Sequence, residues 1–353
     1  MASVIVGSGV AVPPNVVPND RLALIMDTSD EWIRSRSGIA SRRFVDPGTG
    51  SSDLATEAAR AALDDAGVDV SEVDALVTAT MTPDGVNPGI AALVQEKLGV
   101  GHVAAFDLRQ QCSGFLYGLD LADALVAAGR ADTVVVAGAE VHAGYLPWGD
   151  AWDIVLGISD RRPTAAEWER ATRHRSWSVL FGDGAGAVVV RRSDDGDVGV
   201  LGSVLHTDGA DAELIVGGSF GFARRPYLDA SVVSDDLHLP RMDGAGLYRQ
   251  AVRRMPEAIA EALEATGLSL GDIDLVVAHQ ANDRIVAGVR RRLGLDERVV
   301  PSNIALWGNT TAGTLPILFH EMRRAGRVPS GALVCFSAFG AGAHWGALLY
   351  REA

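Results

Sequence analysis

Cysteine is scarce: two residues, Cys112 and Cys335, in a chain of 353. That count excludes a disulfide framework, and neither cysteine has the CxxC or Cys/His spacing of a metal site, so two free thiols and no bound metal are expected. Long hydrophobic runs are missing as well. The longest, "TVVVAGA" (133–139) and "GALVCFSAFGAGA" (331–343), are too short and too broken by Gly or polar residues to span a membrane. The opening "MASVIVGSGVAVPP" reads as a buried strand entering a Pro turn rather than a basic, apolar leader, which makes the cytoplasm the expected location. Positive charge is in deficit. A formal net charge of −14 repels phosphate backbones and argues against nucleic acid as a partner. Local basic clusters persist in "RSRSGIASRR" (34–43), "RHR" (173–175) and "RRR" (290–292), the last read as a solvated face.

Apolar material is plentiful, at 48% of residues, enough to bury a sheet on both faces. Val- and Ala-rich runs alternate with amphipathic, Ala-rich stretches: "ASVIVGSG", "SSDLATEAARAALDDAG", "VDALVTAT", "PGIAALVQEKLG". This alternation marks an α/β protein with helices covering a mostly buried sheet. The chain also repeats itself. "ALDDAGVDVSEVDALVTAT" (62–80) and "ALEATGLSLGDIDLVVAHQ" (262–280) share a helix end, a Gly stop, an acidic loop and a Val-rich strand, with Gly67 matching Gly267 and Asp74 matching Asp274. The offset, 267 − 67 = 200, predicts two homologous halves, 1–177 and 178–353, each built of layered helices and sheets and related by a pseudo-twofold axis. Adding it to Cys112 gives position 312, inside "LWGNTTAGTLPILFHEMRRAG", which again reads as a loop entering a helix. Two helix starts should therefore face each other where such folds place their ligands.

Cys112, in "DLRQQCSGFLYG", sits at a predicted helix start, where free N–H groups and the helix dipole are expected to lower a thiol's pKa. Its bland alternative is a small buried hydrophobe, the reading given to Cys335 in its apolar strand. His279 ends a Val-rich strand in "HQAN", and Asn309 follows Gly308 in "GNTTAG". Alone, His279 reads as a structural histidine and Asn309 as a turn residue; the repeat is what brings them toward Cys112. Cys, His and Asn suit either a papain-like hydrolase or an acyl-carrying cysteine whose neutral neighbours stabilise an enolate. The duplicated sheets and Ala/Gly-rich helices speak against the first.

Six motifs in order, "TSDEWIRSRSGI" (28–39), "CSGF" (112–115), "FGDGAGAVVV" (181–190), "HQANDRIV" (279–286), "GNTTAG" (308–313) and "FGAGAHWGALL" (339–349), give a resemblance over nearly the whole chain. It resembles the thiolase-fold condensing enzymes and, within them, β-ketoacyl-ACP synthase III. The resemblance implies a thiolase-like fold and acylation of Cys112 from an acyl-CoA starter. Decarboxylative Claisen condensation with a malonyl thioester, carried by an acyl carrier protein, then gives a 3-oxoacyl product. It further implies that His279 and Asn309 assist decarboxylation and that the N–H groups of Cys112 and Ala341 form an oxyanion hole. Trp32 and Arg175 would hold the adenine of coenzyme A, Arg36 its phosphates, and Arg284 the pantetheine tunnel or the carrier protein. Coenzyme A enters as a substrate thioester with no permanent cofactor, and a homodimer is implied. Relatives that pass an acyl group to an alcohol or amine without condensation supply the alternative.

Four features depart from that pattern. Ala341 interrupts a glycine run, though a methyl group spares its N–H donor. Asn87 stands where an apolar residue usually reaches across the dimer to cap the acyl pocket, which opens the pocket to a polar or larger starter. Segment 144–175, with Trp148, Trp152 and Trp168, exceeds the usual length and reads as either a lid or an interface embellishment. A smaller excess spans 216–240. These departures favour a natural-product starter or tailoring step over primary fatty-acid initiation.

Overall fold

Why the helices lie where they do is plain in the first of them. In the computed structural model, which describes residues 2–218 and 221–353, α1 (Ser51–Ala66) turns Leu54, Ala55, Ala58, Ala59, Ala62 and Leu63 inward. That spacing makes one apolar face on a 3.6-residue period. Asp53 accepts the Gly50 N–H at its start, and Gly67 in the left-handed region (φ 62°) ends it. The small face permits a close approach to the first strand, where a Cβ on Gly7 or Gly9 would lie 2.4 Å from a carbonyl oxygen of Ala62 or Ala58.

Nine strands form two main sheets. The first holds β1 (Ala2–Ala11), β2 (Ala75–Ala79), β3 (Ala104–Leu108), β4 (Thr133–Glu140) and β5 (Gly184–Ser193), in the order β1–β5–β4–β2–β3. The second holds β6 (Gly199–Thr207), β7 (Leu275–Ala278), β8 (Leu333–Gly340) and β9 (His344–Arg351), in the order β7–β8–β9–β6. Strands β2 and β4 are parallel and buried throughout, which explains their unbroken apolar sequence. The two orders correspond strand for strand, with the Val299 carbonyl accepting the Val276 N–H where the first sheet has β3. Because β5 belongs to the first sheet, the chain crosses between sheets at 194–198, beyond the join expected at 177/178.

Five layers result. Helices α1 and α2 (Ile90–Leu98) cover the outer face of the first sheet, and α4 (Gly244–Thr266) and α5 (Asp283–Leu293) that of the second. Between the sheets lie α3 (Gly114–Ala127) and α6 (Thr314–Arg324), packed in a core that includes Phe115, Leu119, Leu315, Phe319, Phe336 and Tyr350. The repeat persists in the backbone detail. Each central helix is preceded by a 3-10 turn, 111–113 and 311–313, and each turn opens on a non-glycine residue in the left-handed region, Gln111 (φ 53°) and Thr311 (φ 49°). The offset is again 311 − 111 = 200.

The 144–175 excess is divided. Leu146, Trp148, Ala151, Ile154 and Val155 are buried against Leu22, Ile25, Met26, Ile33 and Phe44, with the Trp148 and Trp152 rings edge-on to Phe44 at 5.5 and 4.9 Å. Its second part is the helix Ala165–Ser178, on which Trp168 is 38% exposed. The 216–240 excess contributes Gly217 and Pro240 to the main cavity; its Ser219 and Phe220 lie outside the described residues. Among the described residues no helix is long and apolar enough to cross a membrane.

Candidate active site

Local sequence explains how each candidate is held. Cys112 sits in the 3-10 turn just before α3, directly after left-handed Gln111, and is buried. Gly340 at the end of β8 comes so near that a Cβ there would lie 3.0 Å from Cys112 N, Gln110 O and Ser113 N. This close approach brings the Ala341 N–H beside the Cys112 sulfur, together with the cysteine's own N–H. The alanine in the glycine run therefore leaves the N–H donor in place.

His279 follows β7 directly, and its backbone N–H is fixed 2.8 Å from Ser337 O. The imidazole is buried with neither ring nitrogen bonded to protein, and burial drives its pKa down to about 3, so the ring is neutral. Asn309 follows Gly308 and is anchored to the other half: its N–H donates to Leu180 O (2.8 Å) and its carbonyl accepts from Gly182 N (3.2 Å). The Asn309 Oδ1 accepts the Thr311 N–H at 2.9 Å, which fixes the amide plane and leaves Nδ2 as the uncommitted donor.

Cys112, His279, Asn309, Gly340 and Ala341 line one cavity of about 710 Å³, whose mouth includes Tyr248, Arg249 and Arg284. The arrangement offers a nucleophile, two N–H donors converging on it, a neutral imidazole and a carboxamide donor. Such a set can stabilise negative charge on a thioester oxygen.

One expectation needs correction. The Cys112 thiol is not lowered but pushed up to about 12: burial raises it most, the Glu140 carboxylate raises it further, and the Cys112 and Ala341 N–H groups only partly offset this. Desolvation of the charged form outweighs the helix start in a site this dry.

Three of the expected coenzyme A contacts are grouped outside the cavity lining. Trp32, on the helix Asp30–Ser37, has the guanidinium of Arg36 4.4 Å and that of Arg175 5.0 Å from its ring centroid. Arg175 also pairs with Asp27 at 2.7 Å. Arg284 lines the cavity and donates to Ser35 O at 2.7 Å, joining the Trp32 helix to the rim. Asn87 is exposed and does not line the cavity of its own chain.

Sequence reasoning missed a set of buried groups beneath the thiol. Glu140 ends β4 fully buried, and its carboxylate accepts from Met81 N, Thr82 N, Thr82 Oγ1, Thr80 Oγ1 and, across the halves, Ala312 N at 3.4 Å. Burial outweighs these bonds and raises its pKa to about 7. His142 bridges Gly182 O (2.8 Å) and Thr311 Oγ1 (2.7 Å), and burial lowers its pKa to about 4. Asp183 accepts from Val45 N and His142 N. The only sequence signal was a carboxylate closing each of two apolar runs, "VVVAGAE" and "LFGD".

Known proteins are similar to this chain over nearly its whole length. The family model "3-oxoacyl-[acyl-carrier-protein (ACP)] synthase III C terminal" matches residues 263–352. The model "3-oxoacyl-[acyl-carrier-protein (ACP)] synthase III" matches 106–158 and 153–209, its break falling inside the long 144–175 segment. A curated β-ketoacyl-[acyl-carrier-protein] synthase III from Rhodospirillum rubrum is 43% identical over 356 residues, covering 99% of both chains. Among solved structures, the 3-oxoacyl-[acyl-carrier-protein] synthase III of Aquifex aeolicus is 37% identical with a TM-score of 0.84, covering 99% of this chain and 100% of its own. The priming β-ketosynthase of the R1128 polyketide pathway is 32% identical with a TM-score of 0.83, covering 99% and 96%. The fold is thus thiolase-like, and this chain belongs to the β-ketoacyl-[acyl-carrier-protein] synthase III family of condensing acyltransferases.

Proposed function

We propose that Cys112 carries the starter acyl group and that His279 and Asn309 act in the condensation that follows. The observation that carries this reading is the single cavity shared by the three side chains, with two backbone N–H groups converging on the sulfur. In the first step the sulfur attacks the carbonyl of an acyl-CoA, the oxyanion is held by the Cys112 and Ala341 N–H groups, and the bond to coenzyme A breaks. The thiol proton leaves with the coenzyme A sulfur. A thiol of pKa about 12 is almost wholly protonated at neutral pH, so the same two donors assist attack by stabilising charge only as it develops.

In the second step a malonyl thioester, carried by an acyl carrier protein, loses carbon dioxide. Its thioester oxygen gains negative charge, accepted by Asn309 Nδ2–H and the N–H of neutral His279. The enolate carbon attacks the acyl carbonyl, the Cys112–acyl bond breaks, and the sulfur recovers a proton from solvent. Trp32, Arg36 and Arg175 are suited to an adenine and phosphates by their stacked guanidinium groups, and Arg284 to the tunnel rim. The protein works without a resident cofactor, as a homodimer in the cytoplasm, and Asn87 contributes to the partner's acyl pocket.

Intact-mass measurement with a panel of acyl-CoAs tests the nucleophile: an acyl adduct forms and is lost in Cys112→Ala. Asn309→Ala retains that adduct but releases little carbon dioxide from malonyl thioester. Absence of any adduct, or equal loss of both steps in Asn309→Ala, refutes the assignment. Acylation without any carbon dioxide release in the unmodified protein instead indicates transfer to an alcohol or amine acceptor.

A further inference from the structure

The wall of the cavity beside Cys112 contains an unused hydrogen-bond donor. Tyr145 lines the same cavity as the thiol, and its hydroxyl is buried with no hydrogen-bond partner among the described residues. The ring is fixed on three sides. It stacks on Trp177 (5.9 Å between centroids, 9° between planes) and leans on Phe181 at 6.2 Å and His142 at 5.8 Å.

Neighbouring polar groups cannot take the hydroxyl. Both nitrogens of His142 are engaged by Gly182 and Thr311, and the Glu140 oxygens are held by the Thr80–Thr82 segment and Ala312. Burial, reinforced by nearby acidic groups, holds the phenol well above its ordinary pKa, so it stays a neutral donor. A buried donor left without an acceptor is costly. An alkyl chain on Cys112 would leave the hydroxyl unpaired, whereas a chain bearing a suitably placed oxygen would supply the missing acceptor.

We propose that the acyl group accepted by Cys112 carries a keto or hydroxyl oxygen that receives a hydrogen bond from Tyr145, so that oxygenated starters are selected over plain alkyl ones. This rests on the reading of Cys112 as the acylated nucleophile. It assigns Tyr145 a part in specificity; the residue is no participant in bond making. The sequence position is informative too, since Tyr145 is the second residue of the long 144–175 segment, and Trp177 stands just beyond its end.

Acylation rates for carbon-matched pairs of donors test the idea: butyryl-CoA against 3-oxobutyryl-CoA, and hexanoyl-CoA against 5-oxohexanoyl-CoA. One buried neutral hydrogen bond predicts that the oxygenated member of at least one pair reacts about tenfold faster. In Tyr145→Phe, which keeps the ring and removes only the donor, that ratio falls to near one. A protein in which no pair differs, or a ratio that survives in Tyr145→Phe, overturns the selection while leaving Cys112 as the acyl carrier. No adduct from any of the four donors overturns both. If Tyr145→Phe does not fold, the comparison of pairs in the unmodified protein decides alone.

Discussion

Replacing Glu140 by glutamine tests whether a titrating carboxylate lies beneath the thiol. Its carboxyl is fully buried, and burial raises its pKa from 4.5 to about 7 against five donors. For an acid whose folded-state pKa is raised, the stabilising contribution is present below the unfolded value and is lost as pH rises through the folded one. With 4.5 and about 7 as the two values, roughly 2 kcal/mol disappears between about pH 5.5 and about pH 8.5. Glutamine does not titrate, but its NH₂ faces Met81 N–H together with either Ala312 N–H or Thr82 N–H, depending on which oxygen it replaces, which costs about 1–3 kcal/mol at every pH. The variant is therefore less stable than the parent, and the gap narrows by about 2 kcal/mol on going from the lower to the higher pH. Urea unfolding of both proteins, at one protomer concentration and with unchanged m-values, measures this. The shifted groups nearby, His142, Asp183 and His279, are common to both proteins and cancel to first order. A gap that stays constant to within about 0.5 kcal/mol refutes the raised pKa, since neighbouring substitutions couple by at least that much when charge is involved.

Two further outcomes follow from the geometry. Gly340→Ala puts a Cβ 3.0 Å from three backbone atoms of the 110–113 turn, displacing the donors around the sulfur; acylation should slow by about 100-fold while the protein remains folded by circular dichroism. His279, with a pKa near 3, stays neutral, so carbon dioxide release by pre-acylated enzyme should show no inflection near the ordinary imidazole value of 6.5. An acid limb there would show that the imidazolium forms in the site.

The sequence made the frame legible because the repeat is a physical constraint on both halves. Gly67 and Gly267 both end helices in the left-handed conformation (φ 62° and 72°), and the offset carried from them to Gln111 and Thr311 fixes both central turns. Motif order then pointed to Cys112, His279 and Asn309. The sheet crossing was less legible. The expected join at 177/178 places "FGDGAGAVVV" in the second half, but its pairing with β1 and β4 assigns it to the first sheet. The thiol's protonation was misjudged for a related reason: a helix start is visible in sequence, whereas its dryness is not. Glu140 depends on donors from residues 80–82 and 312, and Tyr145 on rings at 142, 177 and 181, sets that meet only in the folded chain.

Symmetry between the halves also explains why a buried carboxylate belongs here at all. The turns before α3 and α6 present equivalent N–H groups, at Cys112 and at Ala312, and each favours negative charge. In the second half that demand is met within the fold, because Ala312 N–H points at Glu140. In the first half the Cys112 N–H points at the sulfur, where the proposed chemistry creates an anion only in passing. The second turn packs directly on β4: a Cβ on Gly138 would lie 2.2 Å from Ala312 O. Glu140 thus meets the second helix start and, in its ionised form, opposes premature ionisation of the thiol. Negative charge beside Cys112 is then favoured chiefly on the oxygen of a bound thioester, where two N–H groups await it.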